Sequence, residues 1–146
     1  MKISTIFLVF IVTISNAQSI DYNLKKGYVA EGYDVVEYFK NNAIEGKKSF
    51  IATHDNVKYK FVSQKNLDIF LNSPEKYIPQ YGGYCAYAVA IDSKKVSVDA
   101  ETFEIRDGKL YLFYNSWGIN TLKKWEKNNV KGLQKKADQN WEAIKN

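Results

Sequence analysis

The sequence predicts an α+β domain: small antiparallel β-hairpins packed with several helices and closed by a helical C-terminus. Three observations carry that expectation. Apolar, partly alternating runs come in two close pairs, 49–62 and 103–114, each interrupted by a turn signal. Serine and aspartate caps open helical patterns before, between and after these pairs. A 3.6-residue apolar period then runs through the last stretch, at Val130, Leu133, Ala137, Trp141 and Ile144. Hairpins and helices in this mixed order belong to an α+β architecture.

The elements follow in chain order. Asp34 is placed to cap a short helix through Val35, Val36, Tyr38 and Phe39, ended by Asn41-Asn42. Ser49 to Thr53 reads as a strand, and His54-Asp55-Asn56 as a turn. Val57 to Val62 alternates, with Val57, Tyr59 and Phe61 on one face and Lys58 and Lys60 on the other. Ser63 caps a helix over Gln64 to Leu71, whose inward residues are Leu67, Phe70 and Leu71. Pro74 opens a second helical turn at its favoured first position. Gly82-Gly83 breaks the chain, and Tyr84 to Ala90 reads as helix or strand, with its alanines favouring helix. Val96 to Val98 is a short extended piece. Phe103 to Ile105 and Leu110 to Tyr114 flank Asp107-Gly108, a strong hairpin turn. Ser116 is the expected cap of a helix carrying Ile119, Leu122 and Trp125.

The chain begins with Lys2, an apolar run over Ile3 to Ile14, and small residues at Ser15 and Ala17. That is a signal-peptide pattern, with cleavage expected after Ala17 and a single domain over 18–146. The run falls short of the ~20 residues that span a bilayer, so an integral membrane protein is not expected. Abundant Lys, Asn and Ile suggest a bacterial source, and the expected location is periplasmic or secreted. One cysteine cannot close an intrachain disulfide there. Residues 18–116 carry thirteen Lys or Arg and thirteen Asp or Glu. Residues 117–146 carry seven lysines and three acids, so the positive excess sits at the C-terminus. It reads as a solvated lysine face or as an attraction for anionic headgroups and polyanions; export argues against nucleic acid.

At Tyr59-x-Phe61-x-Ser63, Phe70 and Pro74-x-Lys76-Tyr77 the chain resembles the YHS domain, a hairpin-plus-helix module related to metal-handling TRASH-type domains. A longer series is similar to the exported YHS-domain proteins of bacteria. It runs Gly32-Tyr33-Asp34, Tyr38-Phe39, the YHS core, Pro79 to Tyr87, Asp107 to Leu112, and Trp125. The resemblance spans nearly the whole segment after Ala17. It implies a small binding module in which metal is the expected ligand. Metal-handling members carry cysteines where this chain has Val62 and Asn66, so the metal role usually inferred from the module does not carry over to this hairpin.

The residues themselves leave a short inventory of ligands. After Ala17 there is one histidine, His54, one cysteine, Cys85, and no methionine. Closed Cys₄ or Cys₂His₂ zinc sites and a His₂Cys copper site cannot be assembled in one chain. Cys85 and His54 with a carboxylate or tyrosine would make a low-coordinate copper or zinc site, and a dimer would pool two of each. Alternatively, Cys85 in the first turn of a helix would be an activated thiol, helped by Tyr84 or His54 in a redox role. The third reading makes Cys85 a small buried hydrophobe in a ligand-free interaction domain. Tyr81, Tyr84 and Tyr87, with Tyr77 before them, would line an aromatic pocket for a small ligand or serve as core. Gly82 and Gly83 would allow a sharp turn and a close approach of that ligand. No phosphate loop, H-E-x-x-H or G-x-S-x-G occurs, so no enzyme class is expected from motif.

Overall fold

The computed structural model describes residues 19–146. The signal peptide expected over 1–17 lies outside them. The fold is α+β, with small antiparallel pairings, five α-helices and a helical C-terminus.

Two hydrophobic clusters organise the chain. The first gathers around the hairpin β3 (Lys47–His54) and β4 (Val57–Phe61) and the helix α1 (Gln64–Asn72). Tyr59, Phe61 and Phe70 are its stacked aromatics, with Phe70 4.7 Å from Tyr59 and 5.1 Å from Phe61. Two short strands, β1 (Leu24–Lys25) and β2 (Tyr28–Val29), extend this sheet in the order β1-β2-β4-β3, β2 running parallel to β4. Ser63 caps α1 as expected, accepting from the Asn66 amide. Leu71, expected inward, is instead 54% exposed, because the helix turns only Leu67 and Phe70 into the cluster. Lys60, expected on the polar face, is buried with its ammonium 4.6 Å from the Tyr28 ring and 3.2 Å from Glu45. The added β1-β2 pair continues the sheet past β4, which would otherwise be an open edge, and brings the Tyr28 ring beside the Lys60 ammonium.

The second cluster lies between α3 (Ala86–Asp92), α4 (Thr121–Glu126) and α5 (Val130–Ile144). The strand β6 (Lys109–Phe113), paired with β5 (Asp99–Arg106), divides the two. Its alternation sends Leu110 and Leu112 into the first cluster and Tyr111 and Phe113 into the second. Both faces are buried, which accounts for its uninterrupted apolar run. The open choice over Tyr84 to Ala90 resolves as helix from Ala86 on, where Ala and Val fit closely beneath α5. Asn140 of α5 donates to the Val89 and Ala90 carbonyls near the end of α3.

Ser116 does not cap a helix. It pairs with Ile119 in the small hairpin of β7 (Asn115–Ser116) and β8 (Ile119–Asn120). Asn120 takes the cap of α4 instead, accepting from the Lys123 amide at 3.2 Å. Trp117-Gly118 supplies a two-residue turn that ends the helical pattern before it can start. Asp34 is not the cap of the short 3₁₀ turn Glu37–Lys40, whose N-cap is Val36 without a side-chain bond; its carboxylate accepts from the Val36 amide at 2.9 Å in the turn that leads into it. The same carboxylate accepts from the Val62 amide and the Asn66 side chain, both at 2.8 Å. One buried acid thus joins the 3₁₀ turn to the end of β4 and the start of α1. Among the described residues, no helix is long and apolar enough to cross a membrane.

Candidate functional site

The single cysteine stands where four segments meet. Cys85 is the N-cap of α3, and its amide donates to the Val96 carbonyl at 2.9 Å. It forms a parallel bridge with Leu112 and is 0% exposed. Its Sγ lies 3.3 Å from Thr121 Oγ1. The Thr121 hydroxyl already gives its one proton to the Tyr114 carbonyl at 2.8 Å. Thr121 can therefore only accept from Cys85, so this hydrogen bond runs from the thiol to the hydroxyl oxygen. A thiolate, the form that attacks or binds metal, would leave that oxygen facing a negative sulfur without a proton between them.

The glycines beside it are occupied by the chain itself. Asn23 donates its amide to the Gly82 carbonyl at 2.9 Å and its side chain to the Gly83 carbonyl at 3.0 Å. A Cβ on Gly82, whose φ is +60°, would fall 2.6 Å from the Asp21 carbonyl oxygen. The close approach inferred for a ligand is made by the N-terminal segment. The tyrosines do not share one helical face. Tyr81 is buried and donates to Asp138 at 2.9 Å, Tyr84 reaches Asp21 at 3.3 Å, and Tyr87 packs half-buried against both clusters. Tyr81 and Gly82 do line a cleft of about 370 Å³, shared with Tyr22, Glu75, Pro79 and Trp141. Burial, then the Asp138 carboxylate, pushes the Tyr81 phenol well above its ordinary pKa.

The structure gives His54 and Cys85 no common partner. His54 ends β3 at the hairpin turn, edge-on to Phe70. Its Nε2 is 3.2 Å from Glu75 Oε1 and 3.5 Å from Asp55 Oδ2. Glu75 arrives from the first turn of α2 (Pro74–Tyr77). One ligand atom from each of the three residues lies within 4.8 Å of the others. A single imidazole Nε2 carries at most one proton, so it cannot donate to both carboxylates.

Two tyrosines complete the surroundings. Tyr22 donates to Asp55 Oδ2 at 3.2 Å; burial and then Asp55 push its pKa up to about 12. Tyr59 is 1% exposed, and its hydroxyl is the one buried side-chain polar atom without a partner among the described residues. Burial raises its pKa first, and the charges of Tyr22, Asp55 and Glu75 raise it further. Such an orphaned hydroxyl normally costs about 1–3 kcal/mol.

Sequence reasoning singled out His54 but not Glu75, Asp55, Tyr22 or Tyr59. Asp55 was legible as its neighbour; Glu75 is brought in by the fold from 21 residues further on. In comparisons with protein-family models, with curated proteins and with solved structures, nothing matches this chain.

Proposed function

We propose that the protein is an exported, YHS-type binding module whose ligand is a divalent metal ion, zinc or copper, held by His54, Asp55 and Glu75. The observation that carries this reading is the convergence of three ligand atoms from two elements on one small space. Ligands of a tetrahedral zinc ion at about 2.0–2.1 Å stand roughly 3.3 Å apart. The histidine-to-carboxylate separations of 3.2 and 3.5 Å bracket that value. One imidazole and two carboxylates suit Zn(II) or Cu(II), whereas Cu(I) prefers sulfur. Cys85 lies outside the ligand set, because its sulfur is sealed in the core against Thr121. Tyr22 is an outer partner that orients the Asp55 carboxylate. The YHS-type hairpin, with Tyr59, Phe61 and Ser63 in its core and cap, is the scaffold that presents the turn.

Calorimetric titration with Zn(II) and with Cu(II) tests the reading. His54→Ala and Glu75→Gln are expected to weaken binding by about tenfold or more, while Cys85→Ala binds as the parent does. Equal affinity in the parent and His54→Ala would sink the proposal. Loss confined to Cys85→Ala would move the site to the thiol.

A further inference from the structure

Trp117 is the most exposed large apolar side chain among the described residues, at 93%. It sits at the tip of the β7-β8 hairpin, where both turn residues are left-handed, with φ of 53° for Trp117 and 75° for Gly118. Asparagine, aspartate or glycine suits such a position, and a bulky aromatic there is an outlier. The tip therefore holds a side chain that fits neither its backbone nor its solvent. Ile119, two residues on, is also exposed, at 45%.

The elements that follow the hairpin are unusual in charge. Asn120 both ends β8 and caps α4, so Lys123, Lys124 and Lys127 lie within two helical turns of the tip. Lys131, Lys135 and Lys136 follow on α5. All six are exposed and, among the described residues, none takes part in an ion pair. The seventh lysine of this region, Lys145, is paired with Glu142. An indole with a polar edge belongs at the boundary between headgroups and acyl chains. The exposed lysines that follow it in the chain complement the negative charge of anionic lipids.

We propose that the β7-β8 hairpin is a peripheral membrane contact, in which Trp117 enters the interface of an anionic lipid surface and the lysines of α4 and α5 face its headgroups. No part of the fold need open for this, since among the described residues the Trp117 side chain makes no aromatic or hydrogen-bonding contact that insertion would break.

The protein from Gln18 onward, which contains both hydrophobic clusters whole, serves for the test. Trp125 and Trp141 are buried, so the solvent-exposed component of tryptophan emission belongs to Trp117. Phosphatidylglycerol-rich vesicles are expected to shift that emission to the blue, shield it from acrylamide and carry the protein into the pellet. Salt at about 0.5 M should release it. Trp117→Asn is expected to melt at the same temperature or higher, because asparagine suits the turn, yet to lose about tenfold or more in partitioning. Lys123→Gln with Lys124→Gln and Lys127→Gln should lose binding while keeping the fold. Four results would overturn the proposal: no sedimentation at low salt, equal binding to pure phosphatidylcholine, unchanged binding of Trp117→Asn, or self-association that hides Trp117 without vesicles.

Discussion

Cys85 donates to Thr121 because the Thr121 hydroxyl has no proton left to give. The Thr121 hydroxyl serves the Tyr114 carbonyl, and the sulfur fills the remaining lone pair. With no exposed surface, the thiol can react only when the structure around it opens. Iodoacetamide is therefore expected to label Cys85 in urea but not in native buffer, read by mass spectrometry. Native labelling at the rate of a free thiol would contradict the placement. The cysteine's rarity was plain in the sequence, but its surroundings were not: its contacts come from Val96, Leu112 and Thr121, all distant in the chain. His54 follows the same rule. Its turn was legible from Asp55-Asn56, while its second carboxylate, Glu75, depends on how α2 folds back.

At the scale of elements, four strand pairs are closed by two-residue turns with positive φ at both positions: Lys26-Gly27, Asp55-Asn56, Asp107-Gly108 and Trp117-Gly118. The two built from aspartate with asparagine or glycine were readable, because those residues adopt left-handed backbone readily. The turn at Trp117 was not, and a helix was expected in its place. The double glycine was readable as a break but not as a dock for the N-terminal segment. Gly82→Ala would set a Cβ against the Asp21 carbonyl and force an L-residue into φ +60°. The expected cost is about 2 kcal/mol, measured as a lower urea midpoint. A midpoint equal to the parent's would mean that the segment from Asp21 to Asn23 does not pack there in solution.

Over the whole molecule, the Asp34-Asn66-Glu37 network ties the 3₁₀ turn, β4 and α1 into one unit. The Lys40 ammonium, 2.6 Å away, lowers the Glu37 pKa most; Asn66 and Asn42 add to this and burial opposes it. An unfolded glutamate titrates near its ordinary value of about 4.3. The stabilisation from Glu37 is thus complete above that value and is lost as pH falls through the lower folded one. Urea midpoints should drop as pH falls below about 4.3, and Glu37→Gln should flatten that drop while costing about 1–2 kcal/mol near neutrality. An equally steep drop in the variant would assign the acid sensitivity elsewhere. By itself the sequence determined the α+β class, the two main hairpins, the cap at Ser63, and the long last helix. Those follow from local periodicity and from side chains that bond their own neighbours. Only the tertiary structure decided which side of β6 meets which cluster, that Cys85 is sealed by Thr121, that Glu75 joins His54, and that Trp117 is left in solvent. Each of these joins residues far apart in the chain, or leaves one without a partner, and neither outcome is set by local pattern.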